Sequence, residues 1–273
     1  FVRTAYLAQA SYVKQGDLRA PDYMLTNTGK EERSIAFGAR YHTSKYNLTT
    51  YYSNFAQELG ILRGSVAGNL DDLENAINSD KPTIIDPFSY EINNPRQKVD
   101  HHLVKVKGEW FKGENIFDIQ YGFQANHRQE YDVRRGTLND RPSIDLKLFT
   151  HTLNANWEHA EFKGWNGNAG LQWVYRDNNN QPGTNTVAFI PNYNNHQLGI
   201  YMTESREFGE NTWEWGIRYD WQFMDIRGRQ QDNTLYSNSL NFQNVSGTIG
   251  FSRPIGTNSS FRSNIGTAWR PPN

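Results

Sequence analysis

The sequence predicts an all-β chain, namely a segment of an antiparallel transmembrane β-barrel with about eleven long strands. Three observations predict this fold class. Apolar and polar residues alternate with a period of two along the whole chain, the alternating runs are long, and short connections between them alternate with long ones. A mean hydropathy of -0.81 beside 8 Trp, 15 Tyr and 15 Phe indicates that the apolar residues are concentrated at a few ordered positions.

The alternation is clearest in the run 213–223, where one face is aromatic and the other is polar. The aromatic side carries Trp213, Trp215, Ile217, Tyr219, Trp221 and Phe223, and the polar side carries Glu214, Gly216, Arg218, Asp220 and Gln222. The same pattern predicts strands at roughly 2–13, 33–43, 46–57, 97–111, 115–128, 146–159, 164–176, 195–206, 212–226, 241–253 and 259–270.

Strand length and loop length both favour a membrane barrel. Most of the runs exceed the usual five or six residues and reach the length, about 9–11 residues, that a tilted strand needs to cross a bilayer. Short turns near 43–45, 112–114, 162–164, 209–211 and 256–258 alternate with long loops at about 14–32, 58–96, 129–145, 177–194 and 227–240. Bacterial outer-membrane barrels sort their connections in this way. A soluble β-sandwich or propeller, which also alternates, is the structural alternative.

Composition excludes several classes of protein. With 28 Lys+Arg and 29 Asp+Glu, the chain has no overall field that would collect nucleic acid. The absence of Cys excludes disulfides, thiolate nucleophiles and zinc-thiolate sites. No apolar run is long enough for a transmembrane helix. Because the sequence opens directly on a strand-like pattern, we expect it to be a piece of a longer protein.

Two candidate chemical sites fail on spacing. Glu214 and Asp220 share a strand face but lie about 20 Å apart in an extended chain, too far for an acid and base pair. His101 and His102 are neighbours on a strand, so they point to opposite faces and cannot hold one metal ion. We therefore predict no catalytic residue, no protein metal site and no cofactor, and a β-barrel hydrolase is only a third reading.

The long loops carry the candidate ligand-binding residues. Asn69 is positioned to cap a short helix that holds Asp71 and Asp72 in its first turn, where the helix dipole favours acids. Arg134, Arg135 and Arg141 form a cluster of cations on the next long loop, and Arg227 and Arg229 add cations at the same rim. These groups suit an anionic, oxygen-rich chelate. Tyr193 completes the predicted set, and with Tyr131 and Phe189 it is a possible stacking platform for a sugar. Each of these residues is equally compatible with an ordinary solvated loop.

Four segments carry a resemblance to a known family. They are SYVKQGDLRAPDY at 11–23 with LTNTG at 25–29, YYSNF at 51–55 with ELGILRGS at 58–65, NPRQKVDHHL at 94–103, and IGTAWRPPN at 265–273. Together they resemble TonB-dependent outer-membrane receptors of the ferric siderophore and citrate type, in the branch common in Bacteroidetes. Each motif alone is weak, and the set spans the chain.

The resemblance implies a fold, a function and partners. About eleven strands are close to half of a 22-stranded barrel, so residues 1–273 are expected to form part of a barrel domain without its plug domain and its C-terminal strands. The implied function is energy-dependent uptake of a ferric chelate, a siderophore or citrate, across the bacterial outer membrane. The implied partners are the chelate, the plug domain, the TonB complex and outer-membrane lipid, and no nucleic acid. An outer-membrane importer of carbohydrate or oligosaccharide is the alternative.

Overall fold

A computed structural model describes residues 2–65, 68–230 and 232–271. The strands are β1 (Arg3–Gln15), β2 (Leu18–Arg19), β3 (Met24–Leu25), β4 (Lys30–His42), β5 (Tyr46–Gly60), β6 (Arg96–Lys112), β7 (Asn115–Tyr131), β8 (Ile144–Phe162), β9 (Trp165–Asn180), β10 (Asn192–Phe208), β11 (Asn211–Arg229), β12 (Leu235–Ile255) and β13 (Ser259–Gly266). Eleven of them form one sheet in the order β1-β4-β5-β6-β7-β8-β9-β10-β11-β12-β13, and each pair is antiparallel. The predicted eleven-stranded antiparallel segment is confirmed.

The observed strands differ from the predicted ones mainly at the ends next to the long loops. For example, β12 begins at Leu235 rather than near 241. At the other end of the chain, β13 ends at Gly266, before the predicted 270. The sequence pattern also missed the small hairpin of β2 and β3, because two-residue strands are too short to have a period. The predicted short turns are confirmed, and Gly209 (φ 62) and Gly256 (φ 71) supply the left-handed backbone at two of them.

Helices are few and lie in the long connections. The predicted helix is present as α1 (Leu70–Ile77), and the Asn69 side chain accepts a hydrogen bond from the Asp72 backbone N–H at 2.8 Å. Two 3-10 turns occur at Arg63–Ser65 and Gly136–Asp140. In the described part of the chain, no helix has the length and apolar content needed to cross a membrane.

The sheet has two contrasting faces. We define the aromatic face as the one that carries Trp213, Ile217 and Phe223, and the polar face as the one that carries Arg218 and Gln222. Large apolar side chains of the aromatic face stand exposed along β10, β11 and β12, whereas Gln222 on the polar face is buried. Exposed apolar surface on this scale is unfavourable in water. The aromatic face therefore fits a lipid environment better than an aqueous one.

Two rows of mostly aromatic side chains cross the aromatic face from strand to strand. The loop-side row contains the direct cross-strand partners Phe123, His151, Tyr175, His196 and Phe223. The turn-side row contains the partners Phe162, Trp165, Arg206, Trp213 and Phe251. On β9, β10 and β11 the rows are ten residues apart in sequence, which is a height of about 25 Å for strands tilted by about 40°. That height matches the apolar band of a transmembrane barrel, which aromatic girdles border on both sides.

Substitution of Ile217 tests the assignment of the faces. Ile217 is exposed on the aromatic face between the two rows, so Ile217→Arg places a cation inside the apolar band. We expect it to lower the free energy of unfolding in lipid by about 2–4 kcal/mol. Thr203→Arg, at nearly the same height but exposed on the polar face, is the matched control and should be mild. Equal losses in folding titrations from urea into lipid vesicles would contradict the assignment.

Candidate functional site

Hydrogen bonds and ion pairs connect the polar face across several strands. Arg218 pairs with Asp220 at 2.7 Å and reaches over β10 to donate to Gln172 Oε1 on β9 at 3.3 Å. Gly199 makes this possible, because a Cβ at that position would lie 2.0 Å from Arg218 Nη2. Asp220 is thus the partner of a cation. Polar side chains of neighbouring strands therefore bond to one another across this face.

His101 and His102 point to opposite faces of the sheet. His101 Nδ1 lies 3.3 Å from Asn126 Nδ2 on the polar face, whereas His102 Nε2 lies 3.0 Å from Asp100 Oδ1 on the aromatic face. Within residues 2–65, 68–230 and 232–271, no group of three or more metal-binding side chains converges.

The first two long loops are joined by one buried asparagine. Asn27 Nδ2 donates to the backbone oxygens of Ile61 at 2.9 Å and Pro95 at 2.8 Å, and its Oδ1 accepts from the Asn93 N–H at 2.7 Å. Its φ of 65° is in the left-handed region, which asparagine tolerates better than most residues. The loop before β4 and the loop before β6 are therefore packed as one layer.

Arg134 joins the next two loops. Its Nη1 donates to the Thr184 backbone oxygen at 2.9 Å, and its Nη2 donates to the Arg141 backbone oxygen. Thr186 Oγ1 also donates to the Ser143 backbone oxygen. Arg134, one of the predicted ligand-binding cations, is thus half-buried, and its guanidinium already donates to the loop backbone.

The remaining predicted residues lie apart from one another. Arg135 and Arg141 are exposed on the loop between β7 and β8. Asp71 and Asp72 are exposed at the start of α1, in a different loop. Tyr193 is half-buried at the start of β10, beside a small cavity of about 270 Å³ that Tyr175 and Arg227 also line. These residues occupy the same side of the sheet but do not form one site.

A larger cavity, of about 1140 Å³, lies where the loop at 181–191 folds back over the ends of the sheet. We call it the loop-side cavity. Its apolar walls are formed by Ile144, Leu146, Pro182, Val187, Ala188, Phe189, Ile190, Pro191, Leu235 and Tyr236, and its amides come from Asn180, Gln181, Asn185, Asn192 and Asn233. Phe189 is 93% exposed, so its ring is free to stack on a ligand. The loop is held against β8 by the Gln181 N–H, which donates to the Asp145 backbone oxygen at 2.8 Å.

Charges in the loop-side cavity are mostly neutralised in pairs. Arg128 pairs with Glu130, and Arg227 pairs with Asp225 at 3.2 Å. Asp145 accepts from His127 at 2.7 Å. Arg229 is different, because its Nη1 donates only to the Asn233 backbone oxygen, at 3.3 Å, and no carboxylate of the described residues lies within ion-pair distance. The cavity therefore combines an apolar aromatic wall, several amides and one cation without an acidic partner.

The hairpin below Arg229 carries a fixed negative charge. The Thr234 hydroxyl and backbone N–H both donate to Asp232, and these hydrogen bonds hold the pKa of that carboxyl below its usual range. Asp232 does not line the cavity.

The sequence pattern predicted Arg229 as a cation at the loop rim, did not identify Tyr236, and named Phe189 only as a stacking platform. The cavity walls come from four separate segments, 128–130, 143–146, 180–192 and 227–237. A single run of sequence contains no period or motif for such a site. Exposed aromatic and apolar residues inside a long loop, as at 187–190, were the available signal.

Comparisons with known proteins address the fold. No protein-family profile matches the chain, and no curated protein matches it in sequence. Solved structures do match. The ferric-catecholate import receptor Fiu from E. coli K12 superposes with a TM-score of 0.66 at 10% identity, over 96% of this chain and 46% of that one. The chain therefore shares its fold with part of that structure's β-barrel.

Two further structures give the same result. The hemophore receptor HasR of Serratia marcescens, solved with its hemophore HasA and heme, has a TM-score of 0.62 at 13% identity over 99% of this chain and 43% of that one. The ferric citrate transporter FecA has a TM-score of 0.61 at 10% identity over 95% and 38%. The chain thus spans less than half the length of these structures. The resemblance to TonB-dependent receptors drawn from the sequence is confirmed at the level of the fold.

Replacement of Arg134 tests its role as a tie between loops. In Arg134→Gln the hydrogen bonds to Thr184 and Arg141 are lost, and a bond from a charged donor typically contributes about 1.5–3 kcal/mol, less where water reaches it. We expect faster amide hydrogen exchange in residues 181–191, by about ten-fold. Arg135→Gln makes the same change of charge at an exposed neighbour and should leave the exchange unchanged. Equal protection in both variants and in the native protein would contradict the assignment.

Proposed function

We propose that the chain forms part of an outer-membrane receptor for the energy-dependent uptake of a ferric chelate, a siderophore or citrate. The observation that carries the proposal is the superposition of nearly the whole chain on import receptors whose names specify iron-containing cargo. The 25 Å spacing of the two aromatic rows, about the height of a barrel's apolar band, supports the membrane location. In this proposal a plug domain and the remaining barrel strands belong to the complete protein, and the TonB complex supplies the energy.

The loop-side cavity is the best candidate for the ligand contact. It opens on the side of the long loops, which is the extracellular side of such barrels. Arg229 would meet the negative charge of a chelate, and Phe189 and Tyr236 would contact its organic part. Arg135 and Arg141 remain proposed as exposed cations that attract the ligand over a longer range. Arg134 would act by holding the loops, while Asp71, Asp72 and Tyr193 remain proposed contacts on the other loops.

Arg229→Gln is the sharpest test of this site in the complete protein. The lost charge-assisted contact should weaken the binding of ferric citrate by about three- to ten-fold, since the guanidinium is exposed before the ligand covers it. Lys112→Gln removes the same charge at the opposite, turn side and is the control. Binding can be followed by quenching of Trp fluorescence at low and at high salt. An unchanged affinity in Arg229→Gln would remove the cavity from the ligand site.

A carbohydrate importer is the second candidate, because the exposed Phe189 ring and the cavity amides also suit a neutral sugar. The other two residues predicted to stack on a sugar, Tyr131 and Tyr193, give this function less support. The Arg96 guanidinium already lies 4.6 Å from the centre of the Tyr131 ring, and Tyr193 is half-buried. A neutral oligosaccharide that binds equally well to the native protein and to Arg229→Gln, but poorly to Phe189→Ala, would favour this function. A hydrolase has no supporting geometry in the described residues.

A further inference from the structure

The turn-side row contains one cation among aromatic side chains. Arg206 lies on the aromatic face, in register with Trp165 on β9 and Trp213 on β11. Its guanidinium carbon is 4.4 Å from the centre of the Phe208 ring and 5.7 Å from that of Trp165. The backbone of the neighbouring turn lies close to it as well, because a Cβ at Gly164 would be 3.2 Å from Arg206 Nε. The guanidinium is thus positioned by rings and backbone.

The nearest acid on the same strand face is engaged elsewhere. Glu204, two residues from Arg206, is only 7% exposed, and its Oε1 lies 2.9 Å from His159 Nε2 on β8. The contact spans β9 at Gly167, where a Cβ would lie 2.9 Å from the Glu204 carboxyl carbon. His159 is held in turn by Nδ1, which donates to the Ala160 backbone oxygen at 2.8 Å. Because Gly167 has no side chain, Glu204 can reach across β9 and pair with His159.

The N–H donors of Arg206 are consequently not taken up by Glu204. Across residues 2–65, 68–230 and 232–271, no carboxylate lies within ion-pair distance of this guanidinium. A second cation lies at the adjoining turn, where Lys163 Nζ is 5.3 Å from the centre of the Phe162 ring. In contrast, Arg253, on the same face near the turn-side end of β12, already faces Glu210 at 3.8 Å. Arg206 and Lys163 therefore form a patch of two cations beside aromatic rings, and neither is in an ion pair among the described residues.

The height of this patch indicates its ligand. The turn-side row marks one edge of the apolar band, which is the depth at which the headgroups of the adjacent leaflet lie. A guanidinium presents several N–H donors that match the oxygens of a phosphate, and an ammonium adds a compact charge. We propose that Arg206 and Lys163 bind the phosphodiester of a phospholipid in the leaflet on the turn side, with acyl chains lying along the aromatic face. This inference rests on the membrane location proposed above.

The test measures the phospholipid that stays bound to the complete protein. The protein is folded into vesicles that contain phosphatidylglycerol, extracted in mild detergent and weighed with its bound lipid by native mass spectrometry. We expect Arg206→Gln to lower the retained phosphatidylglycerol by about three-fold or more. Arg253→Gln is the matched control, since it removes the same charge from the same face at a guanidinium that already has an acid, and it should retain the native amount. Equal retention in the two variants would overturn the inference.

Two further arms cover folding and the source of the phosphate. His159→Leu leaves Arg206 intact but frees Glu204 to pair with it, so the amount of retained phosphatidylglycerol should fall in this variant too. If a folded His159→Leu protein retained the native amount, the pairing of Glu204 with His159 would not be what keeps Arg206 available. Inorganic phosphate that displaces the lipid at equal concentration would overturn the lipid assignment in favour of a free anion. Failure of every form, native included, to insert into vesicles would instead contradict the proposed membrane location.

Discussion

A strand that crosses hydrocarbon has no water to satisfy its backbone, so each N–H and C=O group within the apolar band must pair with a neighbouring strand. In the membrane location proposed above, the rest of this structure depends on that constraint. It requires long strands with continuous ladders, and β5 to β11 pair with both neighbours over most of their lengths. Because the strands pair within one sheet, the residues that the structure describes have no central core to fill, and the side chains of the aromatic face and the polar face suit two different environments. Only Ala36 and Val174 are buried apolar residues in the described part of the chain.

Side-chain alternation could therefore be read from the sequence, whereas contacts between strands could not. The eleven strands and their two faces were predictable because a period of two is visible within one strand, as in the run from Trp213 to Phe223. The two aromatic rows depend on the register between strands, which the turns fix and which a single strand does not reveal. The loop-side cavity needs residues as far apart as Arg128 and Tyr236. The contacts of Arg134 with Thr184 likewise join segments that no single run of sequence connects.

Glycines within strands show the same limit in another way. In sequence, Gly167 and Gly199 are only weak points in an alternating pattern. In the structure, each is a gap through which side chains from the two flanking strands meet, Glu204 with His159 at one and Arg218 with Gln172 at the other. One contact lies on the aromatic face and the other on the polar face. Which side chains use such a gap depends on the register of three strands at once.

The hydrogen bonds of Asn27 and Arg134 belong to a longer series. Between them, Asn94 Nδ2 donates to the backbone oxygens of Asp132 at 3.2 Å and Asn139 at 2.6 Å. The four successive loops before β4, β6, β8 and β10 are therefore connected through three side chains, each bonded to the backbone of the next loop. A displacement of one of these loops would therefore strain its hydrogen bonds to the next loop along this arc.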